Sequence, residues 1–255
     1  MMTFDFSNKT ILITGGSRGI GRTTAKLFAQ AGAQVIITYH ANQNAAANTL
    51  AELGSGNHSM FQLDLADIKS VEQLFYNVKK QYDRLDILVN NAAVHLPHNI
   101  LESDFSHWQQ CWEDTIKANL MGPANICYFA VQMMKSQHSG KIINISSRGA
   151  FRGEPENPAY GASKAGINSM SQSLAIALAT HNISVHIIAP GYVETEMVTE
   201  KLSGASGDAI RNQSPFNRVA KPEEVAQLVA VYASEGLEFS SAGIIDINGA
   251  SYLRS

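Results

Sequence analysis

Two kinds of apolar spacing take turns along this chain. Short, nearly continuous runs of β-branched and aliphatic residues at Thr10–Thr14, Gln34–Tyr39, His58–Leu63, Ile87–Asn90, Lys141–Ser146, Ser184–Ala189 and Ile244–Ile247 predict strands. Between them, apolar positions recur three and four residues apart over Ile20–Ala31, Asn44–Leu53, Ile68–Tyr82, Ser106–Gln137, Ala159–Thr180 and Pro222–Ser234, which predicts helices. A strand with one wet face alternates apolar with polar; these runs do not, so both faces are expected to be covered. Parallel strands need crossovers, and the helices supply them. The pattern therefore predicts an α/β fold, a doubly wound parallel sheet of about seven strands with helices on both faces.

Pro222, followed by Glu223 and Glu224, makes a good helix start. The stretch from Tyr192 to Ala220 has weak periodicity and several Gly and Ser residues. It is long for a simple connection, and reads either as a substrate lid or as a surface loop. A chain of 255 residues with 45% hydrophobic and 16% charged residues suits one folded domain over its whole length, without repeats or low-complexity tracts.

Charge narrows the class. A formal charge of −3 without a Lys/Arg stripe speaks against nucleic acid as a partner. No apolar run approaches the roughly 18 residues of a membrane span, and Met1–Asn8 lacks the pattern of a secretory leader, so a cytoplasmic protein is expected. Cys111 and Cys127 are far from C-x-x-C spacing and the histidines are scattered, so neither a disulfide nor a metal is expected.

Directly after the first strand comes Thr14-Gly15-Gly16-Ser17-Arg18-Gly19-Ile20-Gly21, which opens the first helix. Glycines let the backbone turn tightly and approach a pyrophosphate, and the helix N-terminus offers free N–H groups and partial positive charge. A dinucleotide is thus the expected cofactor. At the end of the second strand, where a carboxylate would meet the adenosine ribose, stand Tyr39 and His40. Without that carboxylate, and with Arg18 in the loop, the site favours NADP(H) over NAD(H). The alternative for Arg18 is simple exposure to water.

Tyr160 and Lys164 stand i and i+4 on a predicted helix, so they share a face and the ammonium can lie near the phenol. Ionising a free tyrosine at about pH 7 costs on the order of 4 kcal/mol, which Lys164 and the oxidised nicotinamide together would have to offset. The T-G-x-x-x-G-x-G spacing of the glycine loop, with Asn119, Ser147, Tyr160 and Lys164 in that order, resembles the short-chain dehydrogenase/reductase family, over about Thr10 to Gly249. The resemblance implies a Rossmann-like NAD(P)-binding fold and an oxidoreductase that moves a hydride between nicotinamide and a carbonyl/alcohol pair. It implies Tyr160 as acid/base, Ser147 holding the substrate oxygen, Lys164 on the nicotinamide ribose and Asn119 anchoring a proton-relay water. It places Asp64, with Leu65 beside it, at the adenine. Asn90-Asn91-Ala92-Ala93 is similar to the family's N-N-A-G, with Ala93 in place of glycine, and Pro190-Gly191-Tyr192-Val193-Glu194-Thr195 looks like its P-G-x-x-x-T segment. Pro190, Gly191 and Val193 would shape the nicotinamide pocket and Thr195 would meet the carboxamide.

A homotetramer is a further implication of the resemblance; the small residues Gly161, Ala162, Ala165, Gly166 and Ser169 by themselves suggest only self-association. Many relatives reduce 3-oxoacyl groups on acyl carrier protein. Where those relatives carry arginines this chain has His138 and Ile176, so a small-molecule carbonyl or alcohol is favoured over the carrier-bound substrate. Arg148 and Arg152 border the expected substrate and either could bind a carboxylate or phosphate, or could simply be exposed. The Val94–Gln110 segment, with His95, Pro97 and His98, is read as a surface loop or a specificity feature. A non-catalytic redox sensor on the same fold is the alternative of a different class.

Overall fold

The computed structural model describes residues 3–196, 198 and 202–254. In chain order it runs β1 (Thr10–Ile13), α1 (Gly19–Gln30), β2 (Gln34–Tyr39), α2 (Gln43–Glu52), β3 (Ser59–Gln62), α3 (Ile68–Gln81), β4 (Ile87–Asn90), α4 (Phe105–Ile116), α5 (Gly122–Gln137), β5 (Gly140–Ile145), α6 (Gly149–Arg152), α7 (Pro158–Leu178), β6 (Ile183–Pro190), α8 (Gly204–Arg211), α9 (Pro222–Ala233) and β7 (Ile244–Ile247). The strands form one seven-stranded sheet in the order β3-β2-β1-β4-β5-β6-β7. Every neighbouring pair is parallel.

Continuous apolar strands are needed because the sheet is packed on both sides. In β1, Ile11 and Ile13 join Val35, Ile37, Val89, Phe28 of α1 and Val225 and Val229 of α9 in one layer. Leu12 between them points the other way, to Ile36, Leu88, Val71 and Leu74 of α3, and Ile126 and Met134 of α5. Strand periodicity of two thus divides one run between two cores. The order reverses between β1 and β4, and the crevice beyond such a switch point is where α/β sheets bind ligands.

Two predicted stretches differ from the structure. Ser106–Gln137 is not one helix: α4 and α5 are separated by a π-helical turn at Lys117–Met121. Pro123, in the first turn of α5, lacks an N–H and crowds the carbonyl four residues back, which a wider turn accommodates. The 192–220 stretch is not irregular throughout, since α8 lies within it; residues 197 and 199–201 of that stretch lie outside the described residues. No helix among the described residues is long and apolar enough to cross a membrane.

Candidate active site

A cleft of about 560 Å³ opens at the C-terminal ends of β1, β2, β4, β5 and β6. The glycine loop forms its floor. Gly15 and Gly19 have φ of +68° and +51°, conformations that favour glycine. A Cβ on Gly21 would lie 2.2 Å from the Gly15 carbonyl oxygen, so only glycine lets the loop close onto the start of α1. Arg18 precedes α1 without a side-chain cap, and the first-turn N–H groups face the cleft with the positive end of the helix dipole. These features fit a pyrophosphate.

The loop is pinned across the switch point. Asn91 Nδ2 donates to the Thr14 and Gly15 carbonyls at 3.0 and 3.2 Å. The Thr14 hydroxyl accepts from the Asn91 and Ala92 amides at 3.0 and 3.1 Å. Thr38 Oγ1 accepts from the Gly15 amide at 3.2 Å. Thr14 and Thr38 hold the loop's shape, and both escape sequence reasoning because their partners come from other strands.

At the end of the cleft beside the close of β2, Tyr39, His40, Asp64 and Leu65 line it with Ser17, Arg18 and Ile20. Asp64 is also a turn residue, its Oδ1 accepting from the Ala66 amide at 2.9 Å. Its Oδ2 lies 3.8 Å from His40 Nε2. Arg22 and Lys26 both pair with Glu52, whereas Arg18 faces the cleft with no carboxylate partner among the described residues.

The other end brings Ser147, Tyr160 and Lys164 together, beside Ala92, Ala93, Pro190, Gly191, Val193 and Thr195. Lys164 is buried, its Nζ donating to the Ile145 carbonyl at 2.8 Å and lying 5.7 Å from the centre of the Tyr160 ring. Burial pulls its pKa down to about 8. Burial also raises the Tyr160 phenol to about 12, against a lowering hydrogen bond with Ser147 and with a further rise from the Glu154 carboxylate. Desolvation is the largest influence on the phenol, and the Lys164 ammonium is directed at a backbone carbonyl. The sequence expectation of a phenol eased towards ionisation counts on the oxidised nicotinamide as well as Lys164, and so concerns the cofactor-bound protein.

Asn119 does not line the cleft. On the π turn, its Nδ2 donates to the Val94 carbonyl and its Oδ1 accepts from the Val94 amide, both at 2.8 Å. What it holds directly is the chain leaving β4. The 94–104 stretch is more than a surface loop. His95 faces the cleft with its ring centre 4.9 Å from that of Tyr160. His98 is buried, its Nδ1–H donating to the Leu96 carbonyl at 2.6 Å and its Nε2 accepting from the Ala159 amide at 3.1 Å. Asn157, the residue before α7, makes no side-chain cap, so His98 supplies the N-terminal acceptor of the helix that carries Tyr160 and Lys164. A cap from 61 residues away has no local sequence signal.

Comparison with known proteins agrees with this geometry. The family model described as short chain dehydrogenase matches residues 9–205. The chain belongs to this family. Among curated relatives, the dehydrogenase is 35% identical to the 3-oxoacyl-(acyl-carrier-protein) reductase FabG of Thermotoga maritima, covering 94% of this chain and 96% of the relative. It is also 35% identical to the protein of that name from Chlamydia trachomatis, over 95% and 96%. Identity to the Salmonella typhimurium counterpart is 32%, over 97% and 99%. The dehydrogenase is thus an NAD(P)-dependent oxidoreductase acting on CH–OH groups, with the doubly wound Rossmann-like fold.

Glu154 and Tyr192 also line the cleft of this dehydrogenase and were not singled out from sequence. Glu154 packs on α6, since a Cβ added to Gly149 would meet its Oε1 at 2.5 Å. Without that glycine the carboxylate could not sit where it raises the Tyr160 phenol.

Proposed function

We propose that the protein interconverts a small-molecule carbonyl compound and its alcohol with NADP(H), using Tyr160 as general acid/base. The convergence of Ser147, Tyr160 and Lys164 in one cleft with the glycine loop carries this reading. The dinucleotide, when bound, supplies or accepts the hydride. Gly15, Ser17, Arg18, Gly19, Ile20 and Gly21 hold its pyrophosphate, Asp64 and Leu65 its adenine, and Lys164 its nicotinamide ribose. Asn91, Ala92, Ala93, Pro190, Gly191, Val193 and Thr195 border the nicotinamide, with Thr195 on the carboxamide. The 192–220 stretch serves as lid.

In reduction, Tyr160 gives its proton to the carbonyl oxygen while the Ser147 hydroxyl donates a hydrogen bond to the same atom. Asn119 acts as a positioning residue for the β4 end. Lys164 stabilises negative charge on the phenol as the proton leaves. It does so only as a cation, and with its pKa near 8 it loses charge as pH rises, while Tyr160, near 12, remains protonated. The kcat/KM for carbonyl reduction should therefore be flat up to about pH 7 and fall above about pH 8. A profile flat to about pH 10 would remove Lys164 from this role.

NADP(H) is supported by Arg18, which has no carboxylate partner among the described residues, and by Tyr39 and His40 standing where a carboxylate would disfavour a 2′-phosphate. A spectrophotometric screen of carbonyl substrates with NADPH and NADH tests the whole reading. A second reading, reduction of a 3-oxoacyl thioester on acyl carrier protein, is favoured by the names of the relatives. Against it, Ile176 is 80% exposed and His138 ends α5, so the surface expected to meet an acidic carrier lacks arginines there. A 3-oxoacyl thioester belongs in the screen, with the free carbonyl compounds expected to be the better substrates.

Self-association is supported by exposed small and apolar residues. Gly161 and Gly166 are taken up within the chain, by the α6 carbonyl of Gly149 and by Leu120, while Ala162, Ala165 and Ser169 remain exposed on α7. Phe105, Met121, Tyr128 and Ile176 are large exposed apolar residues on the α4–α5 region and α7. Sedimentation velocity at micromolar concentration should give a homotetramer; a monomer would overturn this.

A further inference from the structure

Beside the catalytic cleft lies a second cavity of about 210 Å³, the side chamber. Arg148 and Tyr192 line both, and Phe216, Asn248 and Ser251 are among the other residues that line the second. Arg148 is 5% exposed, although it directly follows the serine of the catalytic group. Its amide donates to the Pro190 carbonyl at 2.8 Å, fixing it at the sheet's end. One of its five N–H donors is engaged, Nη1 on Ser251 Oγ at 2.6 Å, and the guanidinium carbon lies 5.3 Å from the centre of the Tyr192 ring.

A guanidinium taken out of water is costly unless an anion meets it. Among the described residues no carboxylate does. Glu224 commits both oxygens to Arg218, at 2.7 Å each. Glu154 packs on Gly149 and attracts Arg148 only from beyond ion-pair distance. Burial, with the nearby Arg152 charge, holds the Arg148 guanidinium below its ordinary pKa range. Arg152, the other candidate from sequence, is exposed, with Nη1 on Gln213 Oε1 at 3.2 Å, and does not line the cleft.

We infer that Arg148 binds a compact anionic group of the substrate, a carboxylate or a phosphate, seated at the side chamber while the carbonyl lies at Ser147 and Tyr160. This rests on the catalytic reading above and specifies its substrate class. A fork of donors beside one hydroxyl suits a planar or tetrahedral oxyanion. The chamber's size suits a short charged end better than a long acyl chain.

The test compares 2- and 3-oxo carboxylates with their methyl esters, and ketone phosphates with their dephosphorylated counterparts, by kcat/KM with NADPH. The wild-type protein should favour the anionic member of at least one series by about 10- to 100-fold, the series showing whether carboxylate or phosphate is bound. Arg148→Met should remove most of that ratio, chiefly through KM, Arg148→Lys should retain part of it, and Arg152→Met should leave it intact. Melting temperature and NADPH fluorescence report whether each variant folds and binds cofactor, and the wild-type comparison needs no variant. Equal or better use of the neutral members overturns the inference while leaving the catalytic reading standing. Tight cofactor binding with no turnover of any carbonyl or alcohol overturns both.

Discussion

Tyr160→Phe is expected to lower kcat/KM for carbonyl reduction by roughly 10³-fold while leaving NADPH binding and thermal stability close to wild type. The substitution removes one oxygen from a partly buried ring and keeps its contact with His95. What disappears is the proton donor. With the phenol at about 12, deprotonation at pH about 7 costs on the order of 7 kcal/mol in the protein alone, so Tyr160 rests in the protonated form that reduction consumes. The same burial makes the reverse direction depend strongly on Lys164, and Lys164→Met should depress alcohol oxidation more than carbonyl reduction. Ser147→Ala should cost about 10²-fold, the usual effect of losing one donor to a developing oxyanion. Single-turnover absorbance at 340 nm, roughly the reduced nicotinamide band, follows the chemical step directly. If the phenylalanine variant turns over within about tenfold of wild type, the proton comes from elsewhere and the assignment of Tyr160 fails.

Tyr39→Asp should reverse or abolish the cofactor preference, lowering the ratio of kcat/KM for NADPH over NADH by about 30-fold or more. Tyr39 ends β2, lines the cleft and is partly buried, so a carboxylate there would face the adenosine ribose. A like charge about 4 Å from a 2′-phosphate costs about 4 kcal/mol at the effective dielectric of a protein surface, before screening by salt, and the same carboxylate accepts hydrogen bonds from an unphosphorylated ribose. Arg18→Ala should move the ratio the same way by a smaller step, since an exposed cation is screened. Predominant use of NADH by the wild-type protein would overturn the cofactor assignment outright.

Much of this architecture can be read from the chain alone, because its signals are local. The bounds predicted for the second, fourth and seventh strands coincide with β2, β4 and β7, where apolar runs end at residues that leave the sheet. The glycine loop and the i, i+4 pair of Tyr160 and Lys164 are likewise matters of spacing along one segment. The choice between Arg148 and Arg152 could not be made this way, since both arginines occupy the same polar stretch.

Tertiary structure decided what depends on neighbours distant in sequence. It turned the Asn119 side chain onto Val94, because the π turn and the chain leaving β4 meet only in the fold. It made His98 the cap of α7 and buried Arg148 while leaving Arg152 in solvent. It also set the protonation of the site: i+4 spacing brings a cation near a phenol, but desolvation by residues from other elements leaves that phenol at about 12. Periodicity and turn chemistry are written in consecutive residues, so they specify elements and their order. Burial and polar pairing are sums over the whole molecule, and only the folded chain determines them.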